Sequence, residues 1–114
     1  MRSKVLERRH DRRYDIQLPI HFRTSQYGEI SRWAAGTTCN LSRGGIGLRC
    51  RRPLVVGSHI EMIVPWPARH DDVHPIELHA NGIVVRATPT RAAVRITWCR
   101  FNVIRAGEAL GATA

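Results

Sequence analysis

Two short segments carry side chains at a spacing that suits recognition chemistry. The first is the cluster Arg8-Arg9-His10-Asp11-Arg12-Arg13. Guanidinium forks bond phosphate oxygens in pairs, match the O6/N7 edge of guanine, and stack their flat faces on purine rings. The second, further along, is Asn40-Leu41-Ser42-Arg43-Gly44-Gly45. A short polar turn ending in glycine lets backbone approach a ligand closely, because no Cβ stands in the way. By itself this segment also describes a plain hairpin turn, since Asn and Ser bond their own backbone. Together the two segments suit an anionic, purine-bearing ligand.

Other constellations carry less. Gly44-Gly45-Ile46-Gly47 has the glycines of a phosphate loop, but neither the Lys-Ser/Thr nor the helix that such a loop needs follows it. His70-Asp71-Asp72-Val73-His74, with His79 nearby, offers metal-ligand side chains in a proline-bounded stretch with no regular element to fix their geometry, so it reads as a solvated loop. No Ser-His-acid or paired-carboxylate arrangement can be read from the spacing, and no enzymatic activity is expected. Cys39, Cys50 and Cys99 form no Cys-x-x-Cys pair and lie in or beside predicted strands, which predicts buried, reduced thiols.

Composition sets the scale. With 114 residues the chain has room for one domain and a modest core. Lys and Arg number 18 against 9 acids, for a net charge of +9, and all but one of the cations is arginine. That balance favours planar, phosphate-bearing partners, although a GC-rich coding bias gives the same excess. Aromatic residues make up only 6%, and no Phe/Tyr alternation beside Lys/Arg-Gly appears, which argues against a single-strand nucleic-acid binder and leaves no specific nucleic-acid partner expected. There is no run of about 18 apolar residues and no signal-like start, so the expectation is a cytoplasmic chain without membrane insertion.

The elements that must position these residues read as strands. Ile16, Leu18, Ile20 and Phe22 alternate with polar residues and proline. The same period returns in Ile46, Leu48 and Cys50; in Ile60, Met62, Val64 and Trp66; and in Val94, Ile96 and Trp98. Trp66 and Trp98 thereby fall on the core side. Further strands run through 32–41 and 76–86, with a bulge or bend at Asn81-Gly82. Turns are expected at 43–45, 52–57, 65–75 and 88–90. Six strands without intervening helix imply an all-β, six-stranded antiparallel barrel. Residues 1–13 lack a hydrophobic period and read as a mobile basic N-terminal arm, 14–100 as the barrel, and 101–114 as a short C-terminal helix or tail with Phe101, Ile104 and Leu110 capping one barrel mouth.

Arg-x-x-x-Arg at Arg9 and Arg13, followed by Asn/Asp-x-Ser-x-x-Gly at Asn40, Ser42 and Gly45, resembles the PilZ domain family. Tyr14 after the second arginine, Gly45-Ile-Gly-Leu48, Leu54-Val-Val-Gly57 and Gly82-Ile-Val-Val-Arg86 extend the likeness over roughly residues 7 to 100. The resemblance implies a PilZ-type β-barrel that binds cyclic di-GMP. It implies that Arg9 and Arg13 contact phosphate and guanine, that Asn40 and Ser42 contact a guanine edge, and that Gly45 supplies backbone shape. An arginine at the Arg8 position tends, in the family, to accompany two stacked cyclic di-GMP molecules rather than one. Binding would reorganise the arm and signal to an unidentified downstream protein of motility, exopolysaccharide or secretion machinery. Some members lack the arginines and serve as ligand-free adaptors; this chain keeps them. It departs from the family at Ala92-Ala93-Val94, where many members carry a glycine, and in a longer 22–38 connection.

Overall fold

The alternating apolar residues lie where a period of two requires. The computed structural model describes residues 13–71 and 73–104, and in them Ile20, Phe22, Ile46, Leu48, Ile60, Met62, Val64 and Val84 are at most 2 % exposed. Each such side chain contributes about 1.5–3 kcal/mol by leaving water. They line the inside of a barrel built from β1 (Pro19–Gln26), β3 (Ala34–Leu41), β4 (Gly45–Cys50), β5 (His59–His70), β6 (His74–Ala87) and β7 (Arg91–Val103), with β2 (Glu29–Ile30) as a short extension. The strand order is β2-β1-β3-β4-β7-β6-β5, every pairing is antiparallel, and β5 returns to β1. Closure removes the open edges that a flat sheet would leave. The six expected strands are therefore present. The longer 22–38 connection is the end of β1, a tight turn at Tyr27-Gly28 with φ of 54° and 84°, and β2 folded back on β1.

The entry to the barrel depends on one buried hydroxyl. Thr38 is fully buried in β3; its Oγ1 accepts a hydrogen bond from the Leu18 N–H at 2.8 Å and donates one to the Ile16 carbonyl at 2.6 Å. The Thr38 N–H in turn donates to the Leu18 carbonyl at 2.8 Å. Ile16 and Leu18 pack half-buried against the core as their alternation predicted, but the strand proper begins only at Pro19, because a side chain takes the place of a ladder strand here.

Three expectations need correction. The 65–75 stretch is not a loop: β5 runs to His70 and β6 starts at His74, leaving only a tight turn between them. Prolines 65 and 67 are tolerated because the pairing of β5 with β1 ends at Ile63, so a missing N–H can face an edge with no ladder partner among the described residues. Trp98 is not core but 48% exposed. Asn81 pairs with Trp98 while Gly82 pairs with Ile96, so Thr97 bulges and turns Trp98 outward. Finally, Phe101–Val103 are not helical; they continue β7 along β6, with Phe101 edge-on to Trp66 at 5.0 Å. Ile104 follows in irregular backbone, its N–H donating to the Pro75 carbonyl at 2.8 Å, and residues 105–114, like the basic arm before Arg13, lie outside the described residues.

The cysteines also divide: Cys50 is buried, Cys39 half-buried and Cys99 exposed, because β7 outruns the barrel. All three are free thiols. Burial pushes the Cys50 thiol above its ordinary value, opposed by the Arg52 charge and reinforced by Cys39.

Two outcomes are expected. Thr38→Val leaves the Leu18 N–H and the Ile16 carbonyl without partners and costs about 1–3 kcal/mol, read from urea unfolding. A thiol-reactive dye at neutral pH labels Cys99 first and Cys39 more slowly, and reaches Cys50 only on denaturation, which mass spectrometry of timed digests checks.

Candidate functional site

Along β3 a residue-by-residue alternation would put Asn40 on the same side as Thr38, inside the barrel. It does not, because Thr38 pairs with Leu48 while Asn40 pairs with Gly47, leaving Cys39 as a bulged residue. The bulge reverses the phase of the strand end. Thr38 and Leu41 point into the core, and Asn40 comes out onto the barrel wall beside Gly47. A methyl group on Gly47 would lie 2.9 Å from Asn40 Nδ2 and 3.0 Å from Oδ1, so this glycine makes the space in which the amide rests.

The turn after β3 holds the other motif residues. The Ser42 N–H donates to the Gly45 carbonyl at 2.9 Å, and Ser42 Oγ accepts from the Gly45 N–H at 3.1 Å. This hydroxyl closes its own turn, as in a plain hairpin. Gly45 is pressed against β7, where an added Cβ would meet the Val94 carbonyl at 3.0 Å. The Ile96 N–H donates to the Gly44 carbonyl at 2.9 Å and fixes the turn from the same side.

Arg13 reaches this turn through a single antiparallel bridge. The Tyr14 N–H donates to the Leu41 carbonyl and the Leu41 N–H to the Tyr14 carbonyl, both at 2.8 Å. In that register Arg13, which is exposed, lies opposite Ser42. Arg13, Asn40, Ser42 and Gly45 are thus brought to one end of the barrel wall. Arg8 and Arg9 lie outside the described residues.

From Asn40 and Gly47 an open groove of about 610 Å³ runs across the outer faces of β4, β7 and β6, reaching Val85, Arg86 and Arg91. Its strand floor is low because Gly47 and Ala93 face each other across the β4–β7 ladder. Arg86 and Arg91 were not singled out from the sequence. The only signal available there was an arginine in an outward phase next to a small residue, which a chain this rich in arginine repeats too often to discriminate. A smaller cavity of about 310 Å³ involves Arg23, but that guanidinium is already engaged by Glu61 and sits 4.7 Å from the Trp33 ring centre.

The family model for the PilZ domain matches residues 7–111, nearly the whole chain. The chain belongs to the PilZ domain family. Neither a curated protein nor a solved structure matches it. PilZ domains are β-barrel binding and effector domains known for cyclic di-GMP, and the closed six-stranded barrel agrees with that architecture. Among the described residues no helix is long and apolar enough to cross a membrane, and no group of three His, Cys, Asp or Glu is placed to hold a metal ion.

Because Asn40 rests where a Gly47 methyl would stand, Gly47→Ala is expected to displace the amide while the strand pairing survives. The measurement is paired: a melting temperature within a few degrees of the parent, with the Asn40 side-chain amide resonances shifted in an amide NMR spectrum while the backbone resonances of β3 and β4 stay close to parental.

Proposed function

We propose that this chain is a cytoplasmic cyclic di-GMP receptor whose arm closes over the ligand and whose changed surface signals to a partner protein. The observation that carries this is the Tyr14–Leu41 bridge, which puts Arg13 in register with Ser42, two residues along the chain from the Asn40 that lines the groove with Gly47. A ligand with two phosphates and two guanines presents anionic and hydrogen-bonding edges on both sides. Arg9 and Arg13 take the phosphate side and a guanine face, Asn40 and Ser42 take a guanine edge, and Gly45 keeps the turn close to the wall. The Ser42 hydroxyl accepts the Gly45 N–H through one lone pair and can turn its own O–H toward the ligand while that bond and the backbone bond from the Ser42 N–H both stay in place. Ordering the arm costs entropy that two or three charge-assisted bonds at about 1.5–3 kcal/mol each offset.

With Arg8 next to the pair, the proposed stoichiometry is two stacked ligands per chain: a stacked pair carries four phosphate charges and exposes a further guanine for another guanidinium. The downstream partner belongs to machinery for motility, exopolysaccharide or secretion.

Isothermal titration with cyclic di-GMP tests the proposal. Expected are two ligands per chain, a loss of roughly tenfold to a hundredfold for Arg9→Ala or Arg13→Ala, a smaller loss for Ser42→Ala, and a shift toward one ligand for Arg8→Leu. Equal losses for Arg2→Ala and Lys4→Ala would indicate diffuse electrostatics instead. Displacement of the ligand by single-stranded DNA would favour a nucleic-acid binder, and no heat at all would leave an adaptor domain.

A further inference from the structure

Arg49 of β4 and Arg91 of β7 are directly opposite each other in the antiparallel ladder, and both are exposed on the outer face of the barrel. Opposed residues on one face hold their Cβ atoms only about 4.5–5.5 Å apart, and like charges placed so destabilise the sheet. Among the described residues no carboxylate is paired with either of them. The ion pairs among the described residues are Arg23–Glu61, His70–Asp71 and His79–Glu77, none of which involves Arg49, Arg86 or Arg91. Arg86 adds a third cation one ladder further on, where it pairs with Ala93, and both Arg86 and Arg91 line the groove that begins at Asn40. An opposed arginine pair, one member lining a groove and neither bonded to a carboxylate among the described residues, is an arrangement that an anion completes.

We propose that Arg49 and Arg91 form a phosphate clamp on the outer face of β4 and β7, taking a phosphodiester of the cyclic dinucleotide at the end of the groove away from Arg13. This rests on the cyclic di-GMP reading above and extends it to residues outside both sequence motifs. Scale supports it: Arg49 is four steps along β4 from Gly45, about 13 Å of strand, a span that a dinucleotide laid along the wall covers. Between them the Asn40 amide rests over Gly47, which faces the small Ala93 across the ladder, so a ligand lying there would meet that amide on a low strand floor. Guanidinium forks on neighbouring strands can each offer two N–H donors to one phosphate, so the ligand both neutralises the repulsion and gains the bonds.

The test uses the full chain and cyclic di-GMP as the probe. Arg49→Ala and Arg91→Ala are compared with Arg69→Ala, which removes the same charge at the far end of β5. Expected are Kd values raised roughly tenfold for the two clamp variants, with a shallower dependence of log Kd on log salt concentration, and a parental Kd for Arg69→Ala. Without ligand, both clamp variants should melt at or above the parental temperature, because the opposed charges are gone. Parental affinity in both clamp variants, an equal loss in Arg69→Ala, or a lowered melting temperature in both clamp variants overturns the clamp while leaving cyclic di-GMP binding established. Absence of binding by the parental chain overturns the clamp and the receptor reading together.

Discussion

The bond from Thr38 Oγ1 to the backbone at residues 16 and 18 is the constraint on which the rest of the molecule's binding end depends. A threonine hydroxyl is one donor and two acceptor positions on a short, β-branched stem. Placed at a fully buried position of β3, it satisfies an N–H and a carbonyl of the entering chain at once. The segment before β1 is thereby held against β3 instead of crossing over the barrel mouth, and the Tyr14–Leu41 bridge forms two residues upstream of that attachment. Fold and site meet at this point: the same strand supplies Thr38 inward and Asn40 outward, and the bulge at Cys39 is what allows both.

Much of this barrel could be read from apolar period alone. The inward sets in β1, β4 and β5 needed only strict alternation, and the Asn81-Gly82 irregularity was visible as a turn-type dipeptide inside a strand pattern. The failures share one cause. Period analysis assumes an unbroken phase, and the bulge at Thr97 breaks it where both faces carry apolar residues, so nothing in the hydropathy distinguishes Trp98 outward from Trp98 inward. Likewise, Phe101 and Ile104 fit a helical spacing as well as a strand, and only the length of β6, which gives β7 a partner to Val103, decides between them. Proline at 65 and 67 looked like punctuation because the sequence does not reveal that β1 has stopped pairing there.

The candidate site was legible in its motifs and not in its walls. Asn40, Ser42 and Gly45 announce themselves by side-chain type, and their neighbourhood with Arg13 follows once a bridge is known. Arg49, Arg86 and Arg91 come together only through strand order: β4 and β7 are adjacent although forty residues of chain, roughly, lie between them. Ladder register, which no local pattern encodes, turns two ordinary surface arginines into an opposed pair.

The Tyr14–Leu41 bridge has a further consequence in terms of concentration. Arg9 is four residues from Arg13, so covalent geometry alone keeps their Cα atoms within about 14 Å in any conformation. Arg13 lies opposite Ser42, so that distance is measured from the turn after β3. On the proposed receptor reading, a ligand already touching Asn40 would meet Arg9 as a second binding group on a short tether, at an effective concentration of about millimolar order whatever the amount of protein in solution. Encounter with the wall and closure by the arm would, on that reading, be sequential events within one chain, and affinity would be set by how well the second follows the first.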